Sequence, residues 1–127
     1  MIPAMLVMVA GPVGRLRGLP EAEVQGNLEA MRRAALEVWR RGHVPVVGVH
    51  EAYPLIEHLA EGESALDMVD GISNGLAERC DAIVLLGSSA GSEEEARRVA
   101  AHGGQVFHAA SELPLAAGGS PAGSRPG

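Results

Sequence analysis

A short loop of small residues precedes an acidic run in the second half of the chain. The loop reads Gly87-Ser-Ser-Ala-Gly91, and Glu93, Glu94 and Glu95 follow it. Small residues let a ligand approach the N-terminus of a helix, and a carboxylate from the first turn of that helix would face the ligand. Ser92-x-x-Glu95 also has the spacing of a capping box. On local pattern alone, capping is the favoured role of Glu95, because first-turn acids also complement the helix dipole.

A second candidate loop, Gly11–Pro20, lies near the start of the chain. It contains Gly11, Gly14 and Gly18 together with Arg15 and Arg17. Glycines expose backbone N–H groups to an anion, and arginine binds phosphate through two parallel hydrogen bonds. The spacing is that of neither a Walker A loop nor a dinucleotide-binding fingerprint. A solvated turn with surface arginines explains the pattern equally well.

Alternating apolar runs and helical periodicities predict the elements that position these loops. The run Ala4–Ala10 is apolar on both sides, which is typical of a strand in a parallel sheet. Pro45 places the second strand at a sheet edge, because proline cannot donate to a strand ladder. The remaining predicted strands are His43–Val49, Asp81–Leu86 and Gly104–His108, and the predicted helices are Glu21–Arg41, Ala65–Arg79 and Ser92–His102, with a short helix after Pro54 and a terminal turn at Ser111–Pro114.

This order predicts an α/β fold, a three-layer sandwich around a parallel sheet of about four to five strands. Ligands of such sheets bind beyond the carboxyl ends of the strands. Those ends are the loops Gly11–Pro20, Val49–Pro54 and Gly87–Gly91. We therefore expect one binding site where these loops meet.

Composition excludes several classes of function. The chain of 127 residues has a formal net charge of −6 and three aromatic residues, which argues against a nucleic-acid partner. All its basic residues are arginine, so a Schiff-base lysine and a Walker A lysine are both excluded. The length predicts one domain over residues 1–115, and the Ala, Gly, Ser and Pro composition of residues 116–127 predicts a flexible tail.

Several residues that can carry chemistry elsewhere are expected to be structural here. The single cysteine, Cys80, permits no internal disulfide and no multi-cysteine zinc site, and it predicts a cytoplasmic protein. Cys80 is expected to pack as a small hydrophobe, and Asp81 to act at the amino end of a strand. The histidines form no i, i+4 pair, so no metal site is predicted. Ser88 and Ser89 lack the signature of an activated nucleophile.

No membrane association is predicted either. No apolar run reaches the roughly 20 residues that a bilayer span needs. The apolar start, Met1–Val9, lacks a basic n-region, so no signal peptide is expected.

Four segments together resemble proteins like the nucleoside 2-deoxyribosyltransferases. Ala10-Gly-Pro12 is similar to their opening loop, and Arg41-Gly-His-Val-Pro45 resembles their second-strand entry. Leu76–Val84 resembles their third-strand segment, and Gly87–Glu95 resembles their Ser-x-Gly-x-x-x-Glu element. Each motif is weak alone, but their order and spacing over residues 4 to 114 match. The likeness is greatest to small members of this superfamily.

The resemblance implies a flavodoxin-like, Rossmannoid sheet and cleavage of the N-glycosidic bond of a nucleoside or nucleoside 5'-monophosphate. In that family a glutamate attacks the anomeric carbon, and water or a second base resolves the glycosyl-enzyme intermediate. Glu95, four residues after Gly91, matches the position of that nucleophile. The chemistry is that of retaining glycosidases, with an ionised nucleophile on one side and an acid assisting the leaving group. The substrate-binding residues that the resemblance and the loops indicate are Gly11, Pro12, Arg15, Ser88, Ser89 and Gly91.

Two positions depart from the family pattern. The family places an aspartate eight residues before the third-strand aspartate, where this chain has Ser73. Asp70 lies one helical turn before Ser73 and is our candidate for the acid, although a solvent-facing role explains it equally well. The family often has tyrosine after Gly-Pro, where this chain has Val13, so only Tyr53 remains to orient the nucleophile.

These departures keep two classes of function open. The first is an N-glycosidase or deoxyribosyltransferase with Glu95 as nucleophile, Asp70 as acid and no cofactor. The second is a non-catalytic nucleoside- or nucleotide-binding module of the same fold, and a weaker third is a scaffold that acts only as an oligomer subunit. A small-molecule partner is expected for the first two, and the resemblance implies a homo-oligomer, commonly a dimer.

Overall fold

Four parallel strands form the central layer of the fold, and helices cover both faces. The computed structural model describes residues 2–117. The strands are β1 (Leu6–Ala10), β2 (Val44–Val46), β3 (Ala82–Leu85) and β4 (Gln105–Phe107). Their order in the sheet is β2-β1-β3-β4, so the sheet is doubly wound and the predicted three-layer α/β sandwich is confirmed. The α-helices are α1 (Glu21–Arg40), α2 (Gly48–Ala52), α3 (Ala65–Ala77) and α4 (Ala90–Ala101), and 3-10 turns occupy Arg15–Arg17, Tyr53–His58 and Ala110–Glu112.

The alternation of side chains along β1 divides the core into two layers. Val7 and Val9 pack with the apolar stripe of α1, which includes Leu28 and Met31. Met8 and Ala10 point to the opposite face and pack with residues of α3 and α4. Because both faces are covered, β1 is apolar throughout, as the sequence predicted.

The two ends of the strand pattern agree with the roles expected for Pro45 and Asp81. Pro45 lies on the edge strand β2, opposite Val7, where its missing N–H costs no ladder bond. Asp81 precedes β3 at its amino end. Its N–H donates to the Leu6 carbonyl at 2.8 Å, and its carboxylate accepts from the Leu6 N–H at 2.9 Å. Asp81 therefore fixes the register of β1 and β3, away from the ligand edge.

Element boundaries near the loops differ from the prediction. The second strand ends at Val46, and Gly48 begins helix α2, so Gly48 and Val49 are helical. The short helix expected after Pro54 is present as a 3-10 helix over Tyr53–His58, which follows Ala52 directly. A glycine at position 48 permits this, because a Cβ there would approach Ser73 Oγ to 2.6 Å. The close approach of α2 to α3 needs the bare backbone.

Ordered packing extends past the predicted start of the tail. Ala116 is buried and forms a parallel bridge with Ile2. The buried His43 ring links this segment to the sheet: its Nδ1 accepts from the Met5 N–H at 3.0 Å, and its Nε2 lies 2.7 Å from the Pro114 carbonyl. The rest of the predicted tail, residues 118–127, lies outside the described residues. Within residues 2–117, no helix is long and apolar enough to cross a membrane.

Candidate functional site

A cavity opens at the carboxyl edge of the sheet, where the connections of β1 and β3 diverge to opposite faces. This cavity, here called the Glu95 cavity, has a volume of about 310 Å³. It takes residues from all three loops expected to meet there, and α3 closes its side. Its lining includes Gly11, Pro12 and Val13 from the first loop, Val49 and Tyr53 from the second, and Ser88, Ser89 and Gly91 from the third. A cavity at the switch point of a doubly wound sheet is the usual ligand position of this architecture.

One glycine, Gly87, lets the first and third loops approach each other. A Cβ on Gly87 would lie 2.9 Å from Pro12 Cδ, so only glycine fits beside that proline. A Cβ on Gly91, in contrast, would meet no protein atom within 4 Å. The floor of the cavity is therefore tightly packed, and the space above the first turn of α4 is open.

The start of α4 corrects the predicted capping box. The helix begins at Ala90 with Ser89 as its N-cap, and the capping box pairs Ser89 with Ser92 rather than Ser92 with Glu95. The Ser92 N–H donates to Ser89 Oγ at 3.1 Å, while Ser92 Oγ accepts from the Ser89 N–H at 2.9 Å. Ser92 Oγ also donates to the Gly87 carbonyl at 3.1 Å. The caps are thus satisfied without Glu95, which lies in the second turn.

Glu95 lines the cavity, and its environment strongly favours the neutral carboxyl. Burial is the main cause, and it raises the pKa of Glu95 to about 7. The neighbouring Glu94 has the opposite environment: its hydrogen bonds to Arg97 and Arg98 lower its pKa. The pKa values of these adjacent glutamates therefore shift in opposite directions, because only Glu95 lines the cavity.

Asp70 and Ser73 of α3 face Glu95 across the cavity. The Ser73 hydroxyl is near enough to lower the pKa of Glu95 in part, although no hydrogen bond of ordinary geometry reaches Ser73 Oγ among the described residues. The charge of Asp70 acts in the other direction and raises that pKa. Asp70 and Ser73, one helical turn apart, thus both line the cavity with Glu95, but Ser73 is buried whereas Asp70 is exposed to solvent.

Apolar side chains form much of the remaining wall. Val13 is buried, and Leu16, Leu19, Leu66 and Val69 line the cavity around it. The only aromatic ring in the lining is that of Tyr53, whose pKa is raised mainly by burial. An apolar wall with a few polar groups on one side is typical of a pocket for a small organic ligand.

The two arginines of the first loop separate. Arg17 lines the Glu95 cavity, whereas Arg15 does not. The guanidinium of Arg15 lies over the Tyr53 ring, 5.1 Å from its centroid, and pairs with Glu21 at 3.1 Å. Of the eight residues predicted for the site, Glu95, Asp70, Gly11, Pro12, Ser88, Ser89 and Gly91 line one cavity, and Arg15 lies in a neighbouring cleft.

Sequence reasoning did not assign Arg17, Leu66 or Val69 to the site. Arg17 was visible in the same loop as Arg15, but the 3-10 turn between Gly14 and Gly18, both at positive φ, decides which arginine turns inward. Leu66 lies four residues before Asp70, and Val69 lies four residues before Ser73. The helix face that Asp70 and Ser73 define was therefore the signal for both.

The described residues offer no metal-binding cluster, and their single cysteine is inert. Within residues 2–117, no group of three or more His, Cys, Asp or Glu side chains could hold a metal ion. Cys80 is buried, and burial raises the pKa of its thiol to about 11, so it packs as an inert side chain, as expected. Comparisons with protein families, with curated proteins and with solved structures find no match for this chain.

Proposed function

We propose that this protein cleaves the N-glycosidic bond of a nucleoside or nucleoside 5'-monophosphate, with Glu95 as nucleophile. The observation that carries the proposal is the carboxyl of Glu95, held in a cavity at the switch point that is also lined by a second carboxyl, Asp70. Glycoside cleavage uses two carboxyls, one as nucleophile and the other as acid.

In the proposed reaction Glu95 acts in its ionised form, and Asp70 serves as the acid. A carboxylate oxygen of Glu95 attacks the anomeric carbon, and the C–N bond breaks with its electron pair moving to the base. Asp70 gives its proton to that base as it leaves, and a water or a second base then displaces Glu95. The developing positive charge on the sugar stabilises the buried carboxylate, so the desolvation that disfavours it in the free protein is offset in the transition state.

The rest of the lining supports a role in holding the substrate. The backbone at Gly11 and the open space above Gly91 admit a sugar, and Ser88 and Ser89 supply hydroxyls at the N-terminal end of α4. The apolar wall of Val13, Leu66 and its neighbours fits the face of a base. Arg17 is the cation of this cavity available to a 5'-phosphate.

The experiment incubates the protein with a panel of nucleosides and nucleoside monophosphates and measures free base by chromatography. Glu95→Ala is expected to lose at least about a thousandfold in rate, the scale expected for a lost nucleophile. Glu93→Gln is the matched control, because Glu93 lies on the same helix and does not line the cavity. Equal release of base by wild type and Glu95→Ala would contradict the assignment of Glu95 as the nucleophile.

Ser73 and Val13 favour a second candidate, a binding module that retains the cavity without turnover. Ser73 stands where an acid would assist the leaving base, and a serine hydroxyl cannot do so at neutral pH. A nucleoside or nucleotide that raises the melting temperature and is recovered unchanged after long incubation supports this candidate. Consumption of the same ligand supports the enzyme.

A further inference from the structure

A second cleft lies beside the Glu95 cavity, and Tyr53 is part of its lining. It has a volume of about 380 Å³ and shares Val49 and Tyr53 with the Glu95 cavity. We call it the arginine cleft, because its polar lining consists of Arg15, Arg32, His50 and Gln25. No carboxylate lines it, although the protein as a whole has an excess of six acidic groups.

The cations of this cleft are placed by contacts that leave them available. On α1, Glu29 pairs with Arg33 at 3.1 Å, and Glu37 pairs with Arg41. Arg32 makes no ion pair among residues 2–117: the carboxylate three residues before it, Glu29, pairs with Arg33, and the residues four positions away on either side are Leu28 and Leu36. Burial lowers the pKa of His50, which lines the cleft, and the positive charge of Arg32 lowers it further.

Arg15 is held in place rather than neutralised from within the cleft. The Tyr53 ring supports the guanidinium from one side, and Glu21, an exposed carboxylate, pairs with one of its nitrogens. The remaining N–H groups of the planar guanidinium stay available for an incoming acceptor. Two carboxylates act on these groups from outside the lining. Glu21 accepts from Arg15 and also from one N–H of the Gln25 amide at 2.8 Å, and the charge of Glu51 opposes the effect of Arg32 on His50.

We propose that the arginine cleft is an anion-binding site for a phosphate group, either free or as the phosphomonoester of a small molecule. Two arginines and an amide donor around one cleft supply charge-assisted hydrogen bonds in several directions, which a tetrahedral dianion can accept at once. An anion also removes the repulsion between Arg32 and His50. The volume suits a small molecule rather than a polymer.

This site stands apart from the catalytic proposal, because Arg15, Arg32, His50 and Gln25 do not line the Glu95 cavity and do not act on a glycosidic bond. Tyr53 nevertheless gives it a physical connection to that cavity. Arg15 lies over the ring of Tyr53, a residue that lines both the arginine cleft and the Glu95 cavity.

Isothermal titration with inorganic phosphate, at constant ionic strength in chloride, tests the site on the full chain. Saturable binding is expected for wild type, and Arg32→Gln is expected to weaken it by about tenfold or more, the factor that corresponds to one charge-assisted hydrogen bond. The matched control is Arg40→Gln, an exposed arginine of the same helix that does not line the cleft, and it is expected to bind as wild type does.

A parallel arm uses ribose 5-phosphate to distinguish the two sources of the phosphate group. Tighter binding of the ester than of inorganic phosphate assigns the cleft to a phosphomonoester, and equal binding assigns it to free phosphate. Nuclear magnetic resonance gives an independent readout, since bound phosphate is expected to raise the pKa of His50 in wild type but much less in Arg32→Gln. Both readouts are retained in Glu95→Gln, so they do not depend on catalysis.

Two outcomes overturn the proposal. One is the absence of saturable binding at millimolar phosphate. The other is equal binding by wild type and by Arg32→Gln and Arg15→Gln, with all three shown to be folded by circular dichroism.

Discussion

Glu95 on α4 and Asp70 on α3 extend from different helices into the same cavity, and the negative charge of Asp70 raises the pKa of Glu95. Burial contributes more than Asp70 does, so the pair is unequal: Glu95 is the desolvated member and Asp70 the perturbing one. The packing of α3 against α4 produces this relationship, because the two residues are 25 positions apart in sequence.

The first prediction concerns the pH dependence of base release. The proposed reaction needs an ionised Glu95 and a proton on the acid, so the two carboxyls must together hold one proton, and the wild-type rate is expected to fall as the pH rises above about 7. Asp70→Asn removes both the acid and the like charge, so its rate is expected to be lower by roughly a hundredfold or more and to rise with pH as Glu95 ionises, with a midpoint below about 7. Rate profiles of kcat/KM against pH for both proteins provide the measurement. A midpoint in Asp70→Asn that is not below about 7 would contradict the coupling between the two carboxyls.

The second prediction concerns stability and can be tested without any substrate. The pKa of Glu95 is about 7 in the folded protein against an ordinary value of 4.5, so the folded state binds the proton more tightly than the unfolded state. The contribution of this group to stability is therefore fully present below pH 4.5 and is lost as the pH rises through about 7. Glu95→Gln cannot ionise, and its advantage over wild type is expected to grow to about 1–3 kcal/mol by roughly pH 8.

Urea unfolding of the two proteins at several pH values measures this difference. Glu94→Gln serves as the control with the opposite sign, because the arginine partners of Glu94 lower its pKa, and removal of its charge is expected to give no gain at high pH. A stability difference between Glu95→Gln and wild type that stays constant with pH would mean that the carboxyl is solvated rather than buried.

The third prediction concerns the contact between α2 and α3 that places Ser73. A Cβ on Gly48 would lie 2.6 Å from Ser73 Oγ and 3.2 Å from Ser73 Cα, so the helices must move apart to accept it. Gly48→Ala is expected to lower the free energy of unfolding by about 1–3 kcal/mol and to reduce activity, since the face of α3 that carries Asp70 moves with Ser73. Gly71→Ala, in the interior of α3 with open space around its Cβ, is expected to stabilise by up to about 1 kcal/mol. Thermal unfolding of both variants decides between these signs.

The alternation of strands and helices could be read from the sequence because burial imposes it directly. β1 and β3 are apolar on both faces and precede the small-residue segments that begin at Gly11 and Gly87, and α1 carries a clear apolar stripe. The positions of α2 and of the first turn of α4 could not be read in the same way. Gly48 and Gly91 weaken a helix locally, and only the tertiary contact with Ser73 and the Ser89–Ser92 capping box compensate for them.

The candidate site also combines features that the sequence predicts with features that it does not. The three loops and the helix face of Asp70 could be predicted to meet, because parallel strands place their carboxyl ends together and helical spacing places residues on one face. The separation of Arg15 from Arg17 depends on a three-residue turn and on the Tyr53 ring, which no local pattern encodes. The unequal environments of Glu94 and Glu95 likewise depend on partners from outside the acidic run.

The last prediction concerns His43, which joins the start of the sheet to the C-terminal segment. Its Nδ1 accepts a hydrogen bond from Met5, so its Nε2 carries the proton and donates to the Pro114 carbonyl. His43→Leu has a similar volume but leaves the part-buried N–H of Met5 and the carbonyl of Pro114 without their partner, and a loss of about 1–3 kcal/mol in the free energy of unfolding is expected. His58→Leu, at an exposed position, is expected to change stability by less than about 0.5 kcal/mol. Hydrogen exchange at the Met5 amide checks the mechanism, because that N–H loses its partner only in His43→Leu, and protection equal to that of wild type would contradict it.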